Sequence, residues 1–145
     1  MRSGVIIGLG WLLLLSACRK RAQSTVLSER EMSDYRMYIH SMAQKEADTS
    51  MLYFMFVVKA INAQQLPSGS DSRFNYGVDS LFYMINGKDT LPALDAVRMA
   101  NGNIDGIQYM LVFDKPAKAD TLRRIVFRDW LFTSHIISFP FKQNY

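Results

Sequence analysis

Residues 51–61, MLYFMFVVKAI, constrain the fold more than any other part of the chain. They are aromatic and β-branched almost throughout, the residue types that suit a pleated and half-buried surface, with Lys59 as the one interruption. A helix that crosses a bilayer needs about 20 apolar residues, so this run is too short to span. Both alternating faces are apolar, which predicts a central strand covered on both sides. Residues 35–42 alternate at Tyr35, Met37 and Ile39 as a strand would. Met32, Tyr35, Ile39 and Met42 also fall at helical spacing, which leaves room for one short N-terminal helix. Further strands are expected at 79–85, turned by Asn86-Gly87, and at 89–94, 107–113, 122–128 and 131–139, with Pro140 ending the last. Residues 62–77 carry Pro67, Gly69 and three serines and read as a long loop. Short strands punctuated by turns, with no helices repeating between them, predict an all-β chain folded as an antiparallel β-sandwich.

Composition narrows the partners. Hydrophobic residues make up 49% and charged residues 21%, a globular rather than a disordered balance. The net charge is +4, but Arg73, Lys88, Arg98, Lys115, Lys118, Arg123, Arg124 and Arg128 are interleaved with aspartates. No basic stripe with stacking partners results, so nucleic acid is not an expected ligand.

The first residues follow another pattern. Arg2 precedes an apolar run over 5–15, and Ser16 and Ala17 stand before Cys18. That is the layout of a secretory leader. Leu15-Ser16-Ala17-Cys18 resembles the bacterial lipobox, in which the leader is removed before the cysteine and the thiol is acylated, by palmitate among other chains. The alternatives are an ordinary cleaved leader or an uncleaved anchor helix. Cys18 is the single cysteine of the chain, so it cannot form an internal disulfide, and a free thiol would be a liability outside the cytoplasm. The resemblance implies a lipoprotein of the cell envelope, held to the membrane through Cys18. Arg19 follows where an aspartate would favour inner-membrane retention, which implies the outer membrane in an organism that has one. The expected division is a leader over 1–17, the lipidated cysteine and a tether over 18–33, and the sandwich over 34–145.

A second resemblance lies in the domain. Gly106, the run Tyr109-Met110-Leu111-Val112-Phe113-Asp114-Lys115-Pro116 and the chain from Leu122 onward resemble the closing half of telokin-like, immunoglobulin-fold lipoprotein domains. Residues 53–62 are similar to their long central strand, and 82–87 to the strand and turn that follow. The likeness spans roughly 50–139 and breaks at the loop over 64–77. It implies an immunoglobulin-like sandwich with a binding or scaffolding role, and it carries over no catalytic residue.

No set of residues assembles a reaction. Nucleophilic catalysis needs a Ser, Cys or Thr beside a base. The only histidines are His40 and His135, and the lipobox consumes Cys18. Alternation points His135 inward with Leu131, Thr133, Ile137 and Phe139, as a hydrogen-bonded structural histidine, and His40 reads as surface or edge. Asn101-x-Asn103-x-Asp105-Gly106 matches half of a calcium loop, but Val112 stands where a bidentate glutamate is needed, so a turn is the simpler reading. Asp105, Asp114, Asp120 and Asp129 fall at strand ends, where aspartate serves local hydrogen bonds. No enzyme activity, metal or cofactor is expected. The methionines read as adaptable core filling. Phe74 and Tyr76 in the long loop, and Trp130 between two strands, are the candidate binding residues, since aromatics concentrate at binding hot spots. Trp130 and Phe132 could instead cap the core. The expected function is a non-enzymatic, membrane-anchored protein that binds or scaffolds another envelope component, most simply a protein. The alternative is a small-molecule or glycan receptor that stacks its ligand on Phe74, Tyr76 or Trp130.

Overall fold

The computed structural model describes residues 24–42, 50–62, 66, 71–100 and 106–142. Among them run nine strands: β1 (Thr25–Glu31), β2 (Tyr35–Ser41), β3 (Met51–Ala60), β4 (Phe82–Asn86), β5 (Asp89–Pro92), β6 (Asp95–Arg98), β7 (Gly106–Asp114), β8 (Arg123–Arg128) and β9 (Ile136–Phe141). They form two sheets, β1-β2-β3-β7-β6 and β5-β4-β8-β9, antiparallel throughout. The chain is an all-β antiparallel sandwich.

The core forms because each inner strand alternates. Leu52, Phe54, Phe56 and Val58 of β3 and Ile107, Tyr109, Leu111 and Phe113 of β7 face Phe82 and Met84 of β4, Ile125 and Phe127 of β8, and Ile137 and Phe139 of β9. Phe56 sits at the centre, with ring centroids 5.0 Å from Phe82, 4.9 Å from Phe127 and 5.8 Å from Phe139. Tilted and edge-on rings of this kind add to the burial of apolar area. β3 is central as expected, but only one of its faces meets the other sheet. Its outer face belongs to a row across five strands, Val26, His40, Met55, Met110 and Val97. The methionines therefore divide: Met37 and Met84 fill the core, whereas Met55 and Met110 line the outer face.

The strand register distinguishes two ends. Tyr35, Ala60, Arg98, Phe82, Arg128 and Ile136 mark one, which we term the loop end. Thr25, Ser41, Met51, Asp114, Asn86, Arg123 and Phe141 mark the other, the entry end.

The expected strands are found with several corrections. No helix occupies 24–42: β1 and β2 form an antiparallel pair there, so the sheet begins at Thr25, within the stretch read as tether. Strand alternation at Met37 and Ile39 prevails because both side chains reach the core. Residues 79–81 form a 3-10 turn before β4. β6 was not anticipated. The chain leaves β5 at Pro92 and crosses between sheets at Ala93-Leu94, whose amides donate to Phe82 O at 3.0 Å and Val112 O at 2.8 Å. The hairpin turn is Gly87-Lys88 rather than Asn86-Gly87. Gly87 has φ of 61° and Asn86 ends β4 facing inward. β9 begins at Ile136, not 131, and continues through Pro140. That proline is tolerated because β9 is an edge strand, where a missing N–H breaks no ladder bond.

Candidate functional site

Two loops meet at the loop end. In the first, Asp71 caps the 3-10 turn Ser72–Phe74 by accepting from Arg73 N at 3.0 Å. Its carboxylate also holds the Arg73 guanidinium, with Oδ2 2.7 Å from Nη2. The same hydrogen bonds hold the Asp71 carboxyl below its ordinary value. The Asn75 amide donates to Asp71 O at 3.1 Å and the Tyr109 hydroxyl to Phe74 O at 2.9 Å. Burial pushes the Tyr109 phenol up to about 12, against a smaller opposing effect of Arg98, so it stays a donor. Phe74 is only 2% exposed and packs 5.4 Å from Phe132. Phe74 is thus a buried anchor of its loop, not a surface platform, because the turn that Asp71 caps points the ring down. Tyr76, two residues on, is 80% exposed.

The second loop is built on one carboxylate. Asp129 is 2% exposed. Its Oδ1 accepts from Leu131 N at 3.0 Å and Phe132 N at 2.8 Å. Its Oδ2 accepts from Thr133 N at 2.8 Å and Thr133 Oγ1 at 2.6 Å. Asp129 N donates to His135 O at 2.8 Å, which closes the turn at its base. Four donors on one buried acid compensate its burial and tie three backbone amides of the turn to a single side chain. Phe132 is pulled inward, 5.3 Å from Tyr35, and Trp130 is turned out to 75% exposure. Of the two aromatics thought able to cap the core, only Phe132 does so.

His135 lies in this turn, exposed, and not on an inward strand position. Its Nδ1 is 2.6 Å from Thr133 O. A carbonyl can only accept, so Nδ1 carries the proton. His40 is half-buried on the outer face of an inner strand, with Nδ1 enclosed and taking no hydrogen bond. Burial, and secondarily Lys59, lowers its pKa.

At the loop end stand residues that the sequence did not single out. Ile136, which pairs with Arg128, is 73% exposed, and the Arg128 guanidinium lies 5.0 Å over the Tyr83 ring. Arg98 reaches Asn75 Oδ1 at 3.5 Å. The only available signal was Asp129 directly after a strand, which marks a side-chain-capped turn. The loop end thus offers exposed aromatic rings on hydrogen-bonded turns, with exposed Arg128 and Ile136 at the adjoining ends of β8 and β9, an arrangement suited to binding. Among the described residues, no three His, Cys, Asp or Glu side chains gather as a metal site requires. Cys18 and the stretch Asn101 to Asp105 lie outside the described residues. Comparison with family models, with curated proteins and with solved structures returns no match.

Proposed function

We propose that this chain is a lipid-anchored, non-enzymatic envelope protein whose sandwich binds another protein through its loop end. The observation that carries the binding role is Trp130, three-quarters exposed on a turn held by four hydrogen bonds to a buried carboxylate. A large apolar ring held in water by a rigid backbone loses little entropy when a partner covers it. The anchor rests on the lipobox at Cys18, and the outer membrane is the proposed site in a diderm organism.

The sandwich is read as immunoglobulin-like. With β1 set aside, the orders β2-β3-β7-β6 and β5-β4-β8-β9 correspond to the ABED and C′CFG strands of that fold. The loops that carry Tyr76 and Trp130 then occupy the B–C and F–G positions, which in variable domains bind antigen. A glycan receptor is less well supported, because the burial of Phe74 removes one of its three stacking platforms.

Intact mass and membrane fractionation test the anchor. The wild type should carry a diacylglyceryl-sized addition that Cys18→Ala loses together with membrane attachment. Mild detergent extraction tests the site. A stoichiometric partner protein should co-purify, and Trp130→Ala should weaken its retention at least tenfold. A chain that returns no protein but melts higher with added sugar would favour the receptor reading.

A further inference from the structure

Resting on the lipoprotein reading, we infer that the entry end of the sandwich sits on an anionic bilayer surface and that the Trp130 end points away from it. The argument begins with β1. A domain starting at β2 would receive its chain at Tyr35, at the loop end. β1 runs antiparallel to β2, with Thr25 opposite Ser41, and so moves the point of entry to the other end. Cys18 stands seven residues before Thr25, a reach of about 25 Å when fully extended. From Thr25 to the level of Tyr35 the strands rise about 20 Å, and the turn holding Trp130 lies beyond. An inverted molecule would need nearly the whole reach of the tether, whereas an upright one needs almost none.

The surface nearest the anchor suits this placement. Among the described residues, the turns and strand termini there carry exposed Lys88, Lys115, Lys118, Arg124 and Lys142 against Asp89, Asp95, Asp114 and Asp120. Leu122 projects among them at 60% exposure. The loop before it is fixed: the Asn86 amide donates to Lys118 O at 2.9 Å, Asp120 N donates to Asn86 Oδ1 at 2.8 Å, and Leu122 N donates to Asp120 Oδ1 at 3.2 Å. An exposed leucine on an end where, among the described residues, cations outnumber acids suits a headgroup region that is apolar below and negatively charged above.

Trp11 falls in the leader, so Trp130 is the single tryptophan of the processed chain and reports on its own end. The test uses the lipidated chain in vesicles of phosphatidylcholine and phosphatidylglycerol containing headgroup nitroxide lipid. Wild type is compared with a Leu122→Trp, Trp130→Phe variant. The nitroxide should quench the reporter at 122 at least twofold more than Trp130, and Trp130 should remain open to acrylamide. Replacing phosphatidylglycerol with phosphatidylcholine should reduce quenching at 122. Equal quenching of both reporters, or the reverse order, overturns the orientation. No quenching at either position in a chain that floats with the vesicles overturns the contact and leaves the anchor standing. Quenching at 122 that ignores phosphatidylglycerol overturns the electrostatic part. A chain that lacks acyl mass and does not float removes the anchor, and the orientation with it.

Discussion

Asp129 does more for the candidate site than the residues that would touch a partner. Its carboxylate satisfies the amides of Leu131, Phe132 and Thr133 and the Thr133 hydroxyl. Asp129→Ala should therefore destabilise the fold by about 3 kcal/mol in urea titrations, and Asp129→Asn, which keeps an acceptor, by clearly less. His40 predicts a pH dependence. Burial lowers its pKa below the ordinary 6.5, so the unfolded chain takes up the proton first as pH falls. The stability owed to the neutral ring is complete above about 6.5 and is lost below it. Melting temperatures from pH 8 to 5 should fall more steeply for the wild type than for His40→Gln. Composition and position could single out Trp130 and Tyr76 but could not tell them from Phe74. Which aromatic points outward depends on the turns that Asp71 and Asp129 cap, and those depend on hydrogen bonds that periodicity does not record.

Elements rich in aromatic and β-branched residues were legible, and short ones set by their surroundings were not. β3, β7 and β8 each carry a continuous apolar run. β6 is four residues long and exists because Ala93-Leu94 crosses between the sheets, a tertiary event. β1 is polar and reads as tether, because only one side of an edge strand touches a neighbour. The inward Arg30 closes that edge: its Nε donates to Ser138 O of β9 at 2.9 Å. This bond occupies an edge carbonyl, and Pro140 removes an N–H from the same strand, so the edge is poorly suited to pairing with another chain. Arg30→Ala should leave the melting temperature within a few degrees but raise the rate of aggregation, read by light scattering. At the hairpin, Gly87 is held at positive φ, and an added Cβ would lie 2.8 Å from Asp120 Oδ2. Gly87→Ala should destabilise by about 1–2 kcal/mol and disturb the loop that carries Leu122.

At the scale of the whole molecule, the β1–β2 hairpin would set which way the sandwich faces under the proposed anchor, and orientation and recognition would then be separable. Variants at Leu122 should alter contact with the bilayer and leave partner retention unchanged, and Trp130→Ala should do the opposite, when both are measured on one membrane preparation. The same hairpin has a mechanical side. With a bilayer holding Thr25 and a partner holding Trp130, tension would run along the strands and across bonds that lie perpendicular to them. The β1–β2 register from Thr25↔Ser41 to Glu31↔Arg36 would then be loaded together in shear, not opened one pair at a time. An anchor joined at Tyr35 would instead pull from the end that the partner occupies and leave this ladder unloaded. Held in that way at both ends, the sandwich would act through its added strand as a stiff link between them.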